Sequence, residues 1–301
     1  MRRCLRVLGL LVLAGCAPAV TELKPALSAS DKGLVWFQGP NQLVMSGDLA
    51  LPDSQARVPA IVLMHGCSGL PHLAIRGWEP LLREWGYATF IVDSFGPRGY
   101  REVCTNGAVG SIQRVPDAYA ALAILSTHPR IDPDRIVLMG FSHGGLVATA
   151  SSTDWARKHA RVPAQKFRAI LSFYPSCSGR VEQRPRIVVP LRIHTGEKDD
   201  WTPAAPCVEN VERYRADGAD IGITVYPDAP HAFDAVGSTI TYLPNVLNGS
   251  GCRVVLKTID DAPRTLDLLG CVRRGATSGY HGPAAEQARV NVRAQLADLL
   301  K

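Results

Sequence analysis

Four segments of this chain are apolar almost without interruption: IVLMH at 61–65, TFIVD at 89–93, RIVLMG at 135–140 and AILSFY at 169–174. None alternates between apolar and polar positions, which is how strands read when both faces of a parallel sheet are covered. Shorter β-rich runs at 34–37, 43–51, 191–195 and 221–226 bring the predicted number of strands to eight. Between them, 78–85, 116–128, 143–156, 203–216 and 284–300 carry helical spacing; in the last, Ala288, Val290, Val292, Leu296 and Leu299 recur at roughly helical intervals. Strand and helix alternate, so the expected class is α/β: a mostly parallel eight-stranded sheet with helices on both faces.

Two segments break the alternation. Residues 94–113 form a Gly-rich stretch after a strand end. Residues 235–278 have weak periodicity and read as an insertion. Ligands of α/β sheets collect at loops after strand C-termini, so both segments are expected to border a site, with surface decoration as the alternative for the insertion.

The first twenty residues stand apart. Arg2, Arg3 and Arg6 precede an apolar run at 7–14, and Leu13-Ala14-Gly15-Cys16 follows, which resembles the lipobox of bacterial lipoproteins. Residues 1–15 are therefore expected to be a signal peptide, Cys16 the lipidated residue, 16–30 a tether and 31–301 the folded domain. Ala17 is not the Asp that resembles an inner-membrane retention signal, which points to the outer membrane, periplasmic side. An ordinary cleaved signal peptide is the alternative.

Composition is that of a globular protein, with 46% apolar residues among 301. No stretch is long and apolar enough to span a membrane. The formal charge of +6 falls to +3 once residues 1–15 and their three Arg are removed, and no basic block remains, so nucleic acid is not an expected partner. Of eight cysteines, six lie in the expected domain: Cys67, Cys104, Cys177, Cys207, Cys252 and Cys271. An even number in an oxidising compartment predicts three disulfides. Sequential pairing is favoured, because Cys67 and Cys104 follow strands that should be neighbours, as do Cys177 and Cys207. No CxxC or HxxxH spacing supports a metal, and no cofactor is expected.

Gly140-Phe141-Ser142-His143-Gly144-Gly145 lies between a buried strand and a helix and satisfies GxSxG in the context that motif needs. Ser142 is the expected nucleophile. Its base should lie in a loop beyond a strand end. His231 does, five residues past Tyr226, whereas His143 should point away along the helix, His65 sits in a strand-end turn and His194 is mid-strand and structural. The acid should fall between them in chain order, which selects Asp199 in GEKDDWTP, with Asp200 as runner-up or as a helix cap. The amides of His143 and Cys67 are the expected oxyanion donors. Cys67 as a catalytic thiol is the alternative, with no base near it in a suitable loop.

HGCSGL at 65–70, VDSFGPRG at 92–99, GFSHGG at 140–145, GEKDDWTP at 196–203 and YPDAPHAF at 226–233 together resemble the dienelactone hydrolase family of α/β-hydrolases. The resemblance implies that Ser142, Asp199 and His231 are nucleophile, acid and base of an ester or lactone hydrolase working through an acyl-enzyme. Dienelactone hydrolases proper carry a Cys where Ser142 stands, and a carboxylate-binding Arg after the catalytic His where this chain has Asp234 and Ala235. Arg98 is the remaining candidate for a substrate-binding Arg. These departures point to a neutral ester, as a small-molecule substrate. An acyltransferase, a peptidase or a non-catalytic envelope binding lipoprotein are the alternatives. Oligomeric state is not legible.

Overall fold

The computed structural model describes residues 22–70, 72–160, 165–262 and 270–301. The leader and Cys16 lie outside them. The chain runs through β1 (Leu23–Lys24), β2 (Gly33–Gln38), β3 (Val44–Ala50), β4 (Val58–Met64), α1 (Leu73–Glu84), β5 (Ala88–Asp93), α2 (Val115–Leu125), β6 (Ile131–Phe141), α3 (His143–Ser151) and α4 (Asp154–His159). It continues through β7 (Ala169–Phe173), β8 (Gly179–Val181), β9 (Leu191–Gly196), α5 (Ala204–Ala216), β10 (Ile221–Tyr226), β11 (Thr241–Asn248), β12 (Val254–Leu256), β13 (Arg273–Ser278) and α6 (Gly282–Leu299).

The main sheet has the order β1-β2-β3-β5-β4-β6-β7-β9-β10. β3 runs antiparallel to both β2 and β5, and every other pairing in it is parallel. The apolar runs are buried on both faces, as their lack of alternation requires. In β4, Ile61 and Leu63 pack with Trp78 and Leu82 of α1 and Val292 of α6, while Val62 and Met64 pack into the opposite layer with Leu122 of α2 and Val147 of α3.

All eight expected strands form, and the sheet gains a ninth at its edge. Leu23–Lys24, inside the segment read as tether, pairs with β2. Leu27 is buried, and its amide donates to Thr127 Oγ1 at 2.8 Å. A two-residue strand is too short to leave a periodic signal, and the burial of one Leu is a tertiary effect.

The helix expected over 143–156 is two. Thr153 is extended and its Oγ1 accepts the Ala156 amide, capping α4, while the Ser152 and Thr153 hydroxyls donate back to the carbonyls of Thr149 and Ala150. This local competition by hydroxyl side chains ends α3.

The described residues of the insertion are organised by strand pairing. β11 and β13 form an antiparallel pair, and β12 pairs parallel with β8. All three disulfides connect as expected: Cys67–Cys104, Cys177–Cys207 and Cys252–Cys271.

Candidate active site

Ser142 sits between β6 and α3 with φ 53° and ψ −113°. A non-glycine residue there is strained by about 1–3 kcal/mol and must be held by its surroundings. Its amide donates to Phe173 O at 2.9 Å, tying the turn to β7. The flanking glycines are required by close approach: a Cβ at Gly140 would lie 2.0 Å from Gly144 O, and one at Gly144 would lie 2.2 Å from Met64 O. The small residues of the motif thus let α3 start directly against the ends of β4 and β6.

His231 follows β10 in a loop held from two sides. Lys198 N donates to Ala229 O on one side, and Gly279 N donates to His231 O on the other, so the residues after β13 close over this loop. His231 Nε2 lies 2.9 Å from Ser142 Oγ, and His231 Nδ1 lies 2.8 Å from Asp199 Oδ2. The carboxylate only accepts, so Nδ1 carries the proton and Nε2 is left to accept from the serine hydroxyl.

Asp199 is fixed in turn. Its Oδ1 accepts the amides of Trp201 at 2.9 Å and Thr202 at 2.7 Å. Thr202 Oγ1 stands 2.9 Å from Asp199 Oδ2 and 3.0 Å from Tyr174 O. The imidazole is flanked by the rings of Tyr174 and Trp201, with centroids 4.7 and 4.8 Å away.

Asp200 has a different task. Its Oδ1 accepts the Thr277 amide at 2.7 Å and its carbonyl accepts from Asn248 Nδ2 at 3.1 Å, so it anchors β11 and β13 to the loop that carries Asp199. It neither reaches His231 nor caps α5, whose N-cap is Pro203.

Cys67 and His143 both line the cavity that opens beside Ser142. The Cys67 sulfur is in its disulfide, which removes the thiol alternative. The Cys67 carbonyl accepts from Val103 N at 2.8 Å and fixes that peptide. A side chain at Gly66 would strike the His72 ring, 2.6 Å from its Nε2.

The His143 side chain does not run out along α3 as expected. It turns under the 109–114 segment, where Nε2 donates to Val109 O at 2.8 Å and Nδ1 accepts from Arg114. Burial, reinforced by the Arg114 charge, pushes its pKa down to about 3. His194 is the structural residue its position suggested, between Tyr226 OH and Gln295 Oε1, and burial lowers it to about 4.

Arg98, the candidate for a substrate carboxylate, is already committed. It grips buried Asp117 through two hydrogen bonds of 2.8 and 2.9 Å and donates a third to Ser94 O. Its partner lies nineteen residues further along the chain and left no local sign in the sequence.

Sequence reasoning missed three supports of the site. Thr202 was inside a quoted motif but had no assigned role. Tyr174 and Trp78 donate to buried Asp234 at 2.7 Å each, so the residue noted only for not being Arg is a brace behind the imidazole. Burial raises the Asp234 carboxyl and, with Asp234 beside it, the Tyr174 phenol. Arg114, fully buried, left no local signal at all.

Comparison with known proteins places these features in context. The model of the dienelactone hydrolase family matches residues 45–247. A Bradyrhizobium protein named probable 2-oxo-3-(5-oxofuran-2-ylidene)propanoate lactonase is 24% identical over 202 residues, 62% of this chain and 77% of its own length. The human acylamino-acid-releasing enzyme is 21% identical over 62% of this chain, but the match spans only 30% of that enzyme. Among solved structures, a chain from Klebsiella pneumoniae subsp. pneumoniae MGH 78578, provisionally named a dienelactone hydrolase, superposes with a TM-score of 0.60 at 18% identity, covering 88% of this chain and 98% of that one. Esterase 2 of Thermogutta terrifontis with bound propionate gives 0.52 at 17% identity, covering 68% and 86%. At these identities the two structures speak for the fold.

Proposed function

The chain belongs to the dienelactone hydrolase family, a family of hydrolases and esterases, and from that premise we propose that it cleaves a neutral carboxylic ester or lactone through Ser142, His231 and Asp199. The observation that carries this reading is the continuous hydrogen-bond chain from Ser142 Oγ through His231 to Asp199 Oδ2.

In the first step His231 Nε2 takes the Ser142 proton as Oγ bonds to the carbonyl carbon. Collapse of the tetrahedral species breaks the bond to the leaving oxygen, which receives that proton from His231. Water then repeats the sequence: it loses its proton to His231, bonds to the acyl carbon and frees Ser142 and the carboxylic acid. Asp199 remains ionised and stabilises the imidazolium. The amides of Cys67 and His143 hold the oxyanion, and loss of one such donor costs about 3 kcal/mol of barrier.

A neutral substrate is favoured because Arg98 is spent on Asp117 and Asp234 stands where the family has its carboxylate-binding Arg. Three disulfides are compatible with export, and lipid anchoring of the chain through Cys16 to the outer membrane is part of this reading.

The test is labelling by a fluorophosphonate probe together with hydrolysis of short acyl nitrophenyl esters. Labelling and turnover are expected in the wild type and lost in Ser142→Ala; His231→Ala should lose turnover. A folded, oxidised wild type that neither labels nor turns over would overturn the assignment.

A further inference from the structure

The cavity beside Ser142 continues well past it. It encloses about 310 Å3 and runs along Leu146 and Ala150 of α3 to Leu191 of β9 and Ile221 of β10. Leu191 and Ile221 pair at the N-terminal ends of their strands, whereas the loops bearing Asp199 and His231 leave from the other ends. By register Ser142 is level with Thr195, four steps along β9 from Leu191, which places the floor roughly 13 Å below the serine.

Its roof is the parallel pair β8 and β12. Gly179, Val181, Val254 and Leu256 face inward, and Val255 between the last two is 60% exposed, the alternation expected of a strand with one covered face. The roof is tied down by Cys177–Cys207 to α5 and by Trp155 Nε1 donating to Asp260 Oδ1 at 2.8 Å. Its β12 half lies beyond residue 247, where the family match ends.

The walls offer a ligand little polarity. Thr149 Oγ1 donates to Ser172 Oγ, Thr153 Oγ1 to Ala150 O and Thr202 Oγ1 to Tyr174 O, the Ser176 and Ser178 hydroxyls lie 3.2 Å apart, Asn210 Nδ2 donates to Cys177 O, and Arg184 is paired with Asp217, so these lining polar groups are already engaged. A channel of this volume and lining suits an uncharged hydrocarbon chain.

We propose that this channel binds the acyl chain of a medium- to long-chain fatty ester, a proposal that rests on the hydrolase reading above and assigns its substrate class. The chain enters on the acyl side for a geometric reason. The leaving oxygen must take a proton from His231, which is 1% exposed and not part of the channel wall, whereas Cys67 and His143, the oxyanion residues, line it.

The experiment measures kcat/KM for nitrophenyl esters from acetate to dodecanoate, below their aggregation concentrations, and for acetate esters of alcohols of increasing length. A rise of about fourfold per methylene is expected along the acyl series up to at least octanoate, with a flat alcohol series. Val254→Trp fills the channel and should abolish the rise beyond butyrate with acetate turnover within about twofold. Val181→Trp does the same from the facing strand, and Val255→Trp, on the outer face, should leave the profile unchanged.

Acetate hydrolysis and fluorophosphonate labelling with a flat acyl profile would overturn the channel and spare the hydrolase. A rise along the alcohol series, or one that survives both inward Trp variants, would overturn it equally. Absence of both turnover and labelling would instead fell the hydrolase reading and this assignment with it.

Discussion

Arg114 Nη1 donates to His143 Nδ1 at 2.7 Å, linking a fully buried guanidinium to the residue that follows Ser142. The same group donates to His65 O at 3.0 Å and lies 4.7 Å above the Phe95 ring. Burial lowers its pKa to about 9, so it remains a cation at neutral pH, placed behind both loops that would hold the oxyanion. A fixed charge in a dry region acts strongly on negative charge that develops nearby.

Arg114→Met removes that charge and leaves the His65 carbonyl and His143 Nδ1 without their donor. Stability should fall by about 2–4 kcal/mol in urea unfolding. For the folded fraction, kcat should drop ten- to a hundredfold with KM little changed. Arg114→Lys, which keeps the charge, should recover part of kcat. A Met variant with wild-type kcat would reduce Arg114 to a packing role.

The neighbouring carboxylates should separate cleanly on mutation. Asp199→Asn keeps the size but offers an amide where His231 Nδ1 needs an acceptor, so kcat should fall by about 10³–10⁴. Asp200→Ala, which removes the side-chain acceptor, should cost less than about threefold in acetate turnover. Its effect should appear as faster limited proteolysis within 235–278, because Asp200 Oδ1 holds the Thr277 amide. The reverse ranking in a kcat assay would exchange the two roles.

Acid should unfold this protein through its histidines. His65, His72, His143 and His194 are buried, and burial is the leading cause of a lowered pKa in each, to about 4 for His72 and His194 and about 3 for His143. Between the unfolded value of 6.5 and these folded values the unfolded chain binds protons that the folded chain refuses. Stability is therefore complete above pH 6.5 and declines as pH falls, by roughly 1 kcal/mol per group per pH unit. Asp117 and Asp234, raised by burial, work in the opposite sense and offset part of the loss in the carboxylate range. The urea midpoint should drop clearly between pH 7 and pH 5. Equal midpoints at the two values would contradict the buried neutral state of these rings.

What the sequence revealed and what it hid divide along a physical line. The buried strands were legible because a strand covered on both faces has nowhere to put a polar residue, and Ser142, Asp199 and His231 were legible because each follows a strand end in the chain order of the fold. Asp199 was separated from Asp200 only by the direction of two adjacent side chains, which alternate in a way no composition records. Arg114 and Asp234 were invisible because a buried charge is defined by partners far along the chain: Tyr174 is 60 positions from Asp234, and Trp78 is 156. β12 was missed because three residues paired to a three-residue strand carry no period of their own.

The disulfides supply the last prediction, since two of the three close different parts of the site. Cys67–Cys104 spans 37 residues and fixes the loop whose amide would hold the oxyanion, while Cys177–Cys207 spans 30 and ties the channel roof to α5. Loops of these lengths are worth about 3–4 kcal/mol each by constraint of the unfolded chain, so either pair replaced by Ser should lower the urea midpoint similarly. Their effects on turnover should differ. Cys67→Ser with Cys104→Ser loosens a donor used by every substrate, so kcat should fall alike for acetate and octanoate esters. Cys177→Ser with Cys207→Ser loosens only the roof, so the octanoate-to-acetate ratio of kcat/KM should collapse while acetate turnover persists. If the two double variants changed that ratio equally, the roof and the oxyanion loop would not be separate devices.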